Sequence, residues 1–149
     1  MNAYLKFLLM LATSGVLMYA LMYLHTYEAG HVFYSQTRLW MTLIMVSGMA
    51  VVMFAFMRGM YRNRGANIAL LAGAALLFTG SLWGVRSQAM VDDVAYMKGM
   101  IPHHSIAILT SKRARIEDPR VRELADEIIA AQEKEIAEMK ALIRDLESN

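Results

Sequence analysis

Three long apolar runs dominate the first half of the chain: about Tyr4–Leu24, Leu39–Met57 and Asn67–Val85. Each is about 19 to 21 residues, enough for an α-helix to cross a hydrocarbon core of roughly 30 Å. With 57% hydrophobic residues, the chain is more apolar than an ordinary soluble domain. The excess ends near Val85, and the remainder is rich in charge. The expected organisation is a three-span transmembrane domain over 1–86, embedded in a lipid bilayer, followed by a polar domain over 87–149. Lys6, near the start of the first run, can snorkel to the interface. No small-x-small cleavage pattern follows Leu24, so the first run is expected to be a span and not a cleaved leader.

The short loops set the orientation. The loop between the second and third spans carries Arg58, Arg62 and Arg64 and no acid, whereas the loop between the first and second carries Arg38 and Glu28. The positive-inside rule places 58–66 in the cytoplasm. The N-terminus is then cytoplasmic, and 25–38 and everything after Val85 lie outside. Arg86 argues weakly the other way. His25, His31, His103 and His104, all the histidines of the chain, then share the outer side.

Methionines recur every fourth residue in the second span, at Met41, Met45, Met49, Met53 and Met57. Four residues turn a helix by about 400°, so the row drifts into a shallow spiral. Packing bulk is one reading and a thioether path for Cu(I) the other. The residues leave the role of this row open.

The polar domain reads as two helices, about Asp92–Ile116 and Pro119–Leu146. Asp118 is the expected N-cap of the second, with Pro119 at its first position. So short a connection makes the helices antiparallel neighbours, a hairpin. Positions 121, 125, 128, 132, 135, 139, 142 and 146 of the second helix step by four and three, a heptad seam. Gln132 and Glu135 sit on that otherwise apolar arc and must be paired, hydrated or bound. They are either a polar network fixing register or part of a ligand site between facing helices.

The first polar helix contains Met97-Lys98-Gly99-Met100-Ile101-Pro102-His103-His104. Met97, Met100 and His104 fall within about 60° of one another, with Asp93 on the same arc. Pro102 removes a backbone donor, so the helix is expected to kink there or start afresh. Such a break helps His103, about 100° from His104, to reach the same point. Thioether sulfur suits Cu(I) and Ag(I), and imidazole suits copper in either oxidation state. With no cysteine in the chain, methionine and histidine are the durable soft ligands outside the cytoplasm. Zinc fits less well, since methionine is a poor ligand for it.

These residues resemble a known family. "MKGMIPHHSIAI" followed by "VRELADEIIAAQEKEIAEMKALI" is similar to DUF305 proteins, among which are copper-binding periplasmic proteins. Met100, Ile101, Pro102, His103 and His104 match one motif of that family. Leu124, Ala125, Ile128, Gln132, Glu135, Ile136 and Met139 match the other. The resemblance covers about 90–146 and implies a ferritin-like, all-helical bundle that handles copper or silver. Longer members carry further helices after the hairpin. The expected fold is all-α: three transmembrane helices, then an antiparallel hairpin amounting to half of a four-helix bundle. A hairpin this small is marginal alone, so homodimerisation or docking to another membrane protein is expected to complete it.

The leading expectation is thus a soft-metal binding protein anchored in a bacterial inner (plasma) membrane, with its C-terminal domain periplasmic. The candidate ligands are Met97, Met100, His103, His104 and Met139. Gln132, Glu135 and Asp93 are candidate supporting residues. The alternative is a metal-free accessory subunit that docks through the hairpin. A carboxylate-bridged dimetal enzyme needs Glu-x-x-His pairs, which are absent. No nucleophile–base constellation is evident, so no enzyme is expected, and no nucleic-acid partner.

Overall fold

The computed structural model describes residues 2–148, and among them every regular element is helical. Five α-helices follow in order: α1 (Ala3–Leu21), α2 (Gln36–Met57), α3 (Arg64–Ser87), α4 (Asp93–Arg113) and α5 (Pro119–Ser148). Short 3-10 turns occupy Ala29–His31 and Arg58–Met60.

The helix ends follow the capping chemistry. Asn2 accepts from the Tyr4 amide at 3.1 Å, Asn63 from Ala66 at 3.0 Å and Asp92 from Ala95 at 2.7 Å. Asp118 accepts from the Arg120 amide at 2.9 Å, as expected of an N-cap before a proline. Helix α3 ends on Gln88, whose φ of 50° is left-handed. Its side chain offsets that conformation, donating to the Val85 carbonyl and accepting from Thr37 Oγ1.

The chain forms two compact units. The first consists of α1, α2 from Thr37 onward and α3. Its small core holds Phe7, Leu11, Val46, Ala50, Tyr61 and Ala74. Tyr61 centres an aromatic cluster, with the rings of Tyr4, Phe7 and Phe54 at 5.2, 5.5 and 5.8 Å. Tyr4 OH also ties α1 to the start of α3, donating to Asn67 Oδ1 at 2.9 Å and accepting from the Asn63 amide at 3.0 Å. Arg38, 7% exposed, donates to the Met22 carbonyl at the end of α1.

Most apolar side chains of this unit face outward; Val16, Phe56 and Leu76 are 73, 88 and 74% exposed. So much contiguous apolar surface has no soluble explanation in one chain. All three helices are long and apolar enough to cross a bilayer. The protein is membrane-associated. The methionine row spirals: Met49, Met53 and Met57 pack against the core, while Met41 and Met45 are exposed.

The second unit contains the α4–α5 hairpin and, in addition, Tyr23–Gln36. This unit thus includes a segment from between α1 and α2. The loop between α1 and α2 folds onto the hairpin because its polar groups find partners there. The Tyr27 amide donates to Ser105 Oγ at 2.7 Å, and His31 Nδ1 lies 2.9 Å from the same oxygen. Met97, Ile101, Ile108, Ile136 and Ile143 form the core, with Tyr27, Phe33, Val94 and Met139 against it.

Helix α4 runs unbroken through Pro102, so the fresh start considered for that position does not occur. The buried seam of α5 is also rotated from the expected heptad. Ala125, Ile136 and Ile143 are innermost, whereas Val121, Leu124, Leu142 and Leu146 are 46–55% exposed. The apolar arc of α5 is wider than one neighbouring helix can cover.

Candidate functional site

One face of the hairpin forms an open cavity of about 560 Å³. From α4 it is lined by Asp93, Met97, Met100 and His104, and from α5 by Glu135 and Met139. Helix α4 brings the first four together because steps of three and four residues return to one face. Met97 is 7% exposed and belongs also to the core, which restrains its thioether.

The other expected residues fall differently. His103 is exposed and does not line the cavity; its ring lies 6.1 Å from that of His104, centre to centre, with 61° between planes. An unbroken α4 keeps consecutive side chains about 100° apart, so only His104 turns inward. Gln132 stands behind the cavity, its Nε2 donating to Glu135 Oε2 at 3.5 Å. Tyr96, Glu138, Leu142, Asp145 and Leu146 also line it. Tyr96 stands four residues before Met100, a spacing that could have flagged it. Glu138 and Asp145 read as solvated charges in sequence, and nothing local marks them as neighbours of a cavity.

His104 Nδ1 lies 3.0 Å from Glu135 Oε2. The distance is that of an ion pair, but the ring N–H is not well aligned. By hydrogen-bond geometry this buried atom has no partner among the described residues. Burial holds the His104 pKa below the ordinary 6.5; Glu135 pulls it up and His103 pushes it further down. The imidazole is therefore neutral at neutral pH and keeps a lone pair.

His31 lines a separate cavity of about 260 Å³ with Tyr27, Glu28, Ile108, Glu133 and Lys140, so it does not join the thioethers. Burial is again the main cause of a lowered pKa, Lys140 adds to it, and Glu28 opposes it. Glu28, His31 and Ser105 line up like a hydrolytic triad, with Nε2 3.6 Å from Glu28 Oε2. Ser105 is 0% exposed, however, and its oxygen already accepts the Tyr27 amide. The line ties the loop to the hairpin and offers no substrate access. His25 is exposed.

Among the described residues, no group of three or more His, Asp or Glu is placed to hold a metal ion. What converges instead is three thioethers, one imidazole and flanking carboxylates. The fold and this face define a membrane-associated helical protein with a methionine-rich hairpin cavity.

Residues 93–149 match the family described as a domain of unknown function, DUF305. An uncharacterised protein of Acanthamoeba polyphaga mimivirus is 37% identical over 106 residues, covering 70% of this chain and 68% of the viral protein. That alignment is longer than the matched segment, so similarity continues into residues before Asp93. No solved structure matches. The chain belongs to the DUF305 family.

Proposed function

We propose that this is a membrane-anchored, non-catalytic protein that binds a soft metal ion, Cu(I) or Ag(I), on the non-cytoplasmic side of a plasma (inner) membrane. The observation that carries the reading is the shared cavity of Met97, Met100, Met139 and His104. Three neutral sulfurs and one neutral nitrogen suit a monovalent soft cation. With Nδ1 turned to Glu135, Nε2 of His104 is the nitrogen left to donate, and Glu135 acts as the outer carboxylate that orients a ligating histidine. The exposure of His103 makes it a capture residue at most.

The charge pattern supports the orientation. Arg58 and Arg62 sit between α2 and α3 and Arg64 opens α3, an end that is cytoplasmic in this reading. Grouping of Tyr23–Gln36 with the hairpin in one unit agrees with three crossings, since both segments then emerge on one side.

The uncovered stripe of Val121, Leu124, Leu142 and Leu146 supports a second copy completing a four-helix bundle. Leu142, Leu146 and Tyr96 also line the metal cavity, so the partner would close it. The same stripe favours the rival reading, a metal-free docking subunit.

Titration of the whole detergent-solubilised protein with Cu(I) against a competing chelator separates the two. The expected result is stoichiometric binding that His104→Ala, or Met100→Leu with Met139→Leu, removes. A wild-type protein that takes no Cu(I) and no Ag(I) overturns the metal reading and leaves docking. Light scattering of the same preparation reads the oligomeric state.

A further inference from the structure

We infer that the membrane unit carries a site for one anionic phospholipid, its acyl chain in a groove between the three helices and its phosphate at the basic end. The inference rests on the membrane reading and is independent of the metal.

The groove, of about 430 Å³, is lined by Tyr4, Leu8 and Leu11 of α1, Val46 and Ala50 of α2, and a small-residue face of α3 including Ala66, Ala69 and Gly73. It follows α3 from Ala66 to Leu77. Eleven residues of helix rise about 16 Å, the depth of one leaflet of a core roughly 30 Å thick. In a bilayer such an apolar groove is filled by whatever lies beside it. The groove is open beside Gly73, where an added Cβ would meet nothing within 4 Å.

The charge at its mouth selects the occupant. Tyr4, at the upper end, is hydrogen-bonded to Asn63 and Asn67, and Arg62 and Arg64 flank Asn63 in the chain. Lys6 and Arg58 belong to the same end. All four bases are exposed, and among the described residues none forms an ion pair within the protein. They have no acid of their own unit to pair with. All 13 Asp and Glu residues lie in the other unit, Glu28 being the first. A cluster of bases at the headgroup level with no internal counter-charge is matched by lipid phosphate. A zwitterionic lipid would fill the groove but leave the charge uncompensated.

The test is native mass spectrometry of the full-length protein released from detergent, with phosphatidylglycerol or phosphatidylcholine added. One phosphatidylglycerol per protomer is expected to be retained several-fold more than phosphatidylcholine. Arg62→Gln with Arg64→Gln is expected to cut that preference, each base contributing up to about fivefold. Gly73→Leu, which fills open space, is expected to remove the retained lipid of either kind. Equal retention of the two lipids by the wild type overturns the site, as does lipid retention unchanged in Gly73→Leu. A change of oligomeric mass in Gly73→Leu, with no change in lipid, also overturns it by making a helix the occupant. Alkaline carbonate extraction of the membranes reads bilayer integration separately, so loss of the lipid site and loss of the membrane reading are told apart.

Discussion

His31 Nδ1 lies 2.9 Å from Ser105 Oγ, joining residues 74 positions apart in the chain. The Tyr27 amide shares that oxygen. This pair of contacts makes the loop after α1 part of the hairpin and gives a marginal two-helix unit a third covering segment.

Ser105→Ala removes the oxygen that the Tyr27 amide and His31 Nδ1 share and leaves a backbone donor and a ring nitrogen without it. A buried group left unsatisfied costs about 1–3 kcal/mol. Chemical denaturation of the protein should show a loss of that size, and hydrogen exchange at the Tyr27 amide should quicken. Unchanged exchange there would show that the loop is held by other contacts.

Acid should loosen the second unit. His31 and His104 both have pKa values lowered from 6.5, chiefly by burial. Unfolding restores the ordinary value, so below about 6.5 the unfolded chain takes up protons first. Stability is therefore full above that pH and falls progressively as pH drops toward the folded-state values. Melting temperatures between pH 7.5 and 5 should decline. The decline should be shallower in His31→Gln and in His104→Gln. A flat profile in the wild type would contradict the burial argument.

The Glu135 carboxylate raises the pKa of His104 against the effect of burial. Glu135→Gln should therefore lower that pKa further and extend the pH range over which the imidazole is neutral. If His104 holds the metal, Ag(I) release on acidification should shift to lower pH in this variant. A shift to higher pH would mean that the part Glu135 plays in holding the metal, by orienting His104 or by direct ligation, outweighs its effect on the imidazole pKa.

Two glycines of α3 should behave oppositely. A Cβ on Gly84 would stand 2.9 Å from Trp40 ring carbons, so Gly84→Ala forces the indole or the helix to move. Overpacking of this kind costs about 1–3 kcal/mol. Gly73→Ala meets open space and should be neutral or slightly stabilising, since alanine is the better helix former. Thermal unfolding in one detergent compares them directly.

Ile101 is 0% exposed in the hairpin core. Its truncation to alanine should cost about 2–5 kcal/mol, depending on how far the cavity collapses. If the cavity holds a metal ion, the loss should also weaken its binding by disordering Met97 and Met100, which lie on neighbouring turns of α4. Cu(I) affinity and unfolding free energy measured on the same sample should fall together.

Local regularities carried much of this structure. The lengths of the three apolar runs, the Asp118–Pro119 helix start and the 3.6-residue period of α5 led to α1–α3, the hairpin turn and its antiparallel helices within a few residues of their true ends. The thioether-and-imidazole cluster of Met97, Met100 and His104 was legible for the same reason: one helix turn is enough to gather them. What needed the tertiary structure was which face each helix covers. Nothing around His31 announces Ser105 as its partner. Nothing in the Pro-His-His run says that α4 passes through Pro102 unbroken and leaves His103 outside. The rotation of the α5 seam onto Ile136 and Ile143 depends likewise on where α4 lies. Backbone periodicity and capping are properties of neighbouring residues, whereas burial is decided by contacts between residues tens of positions apart.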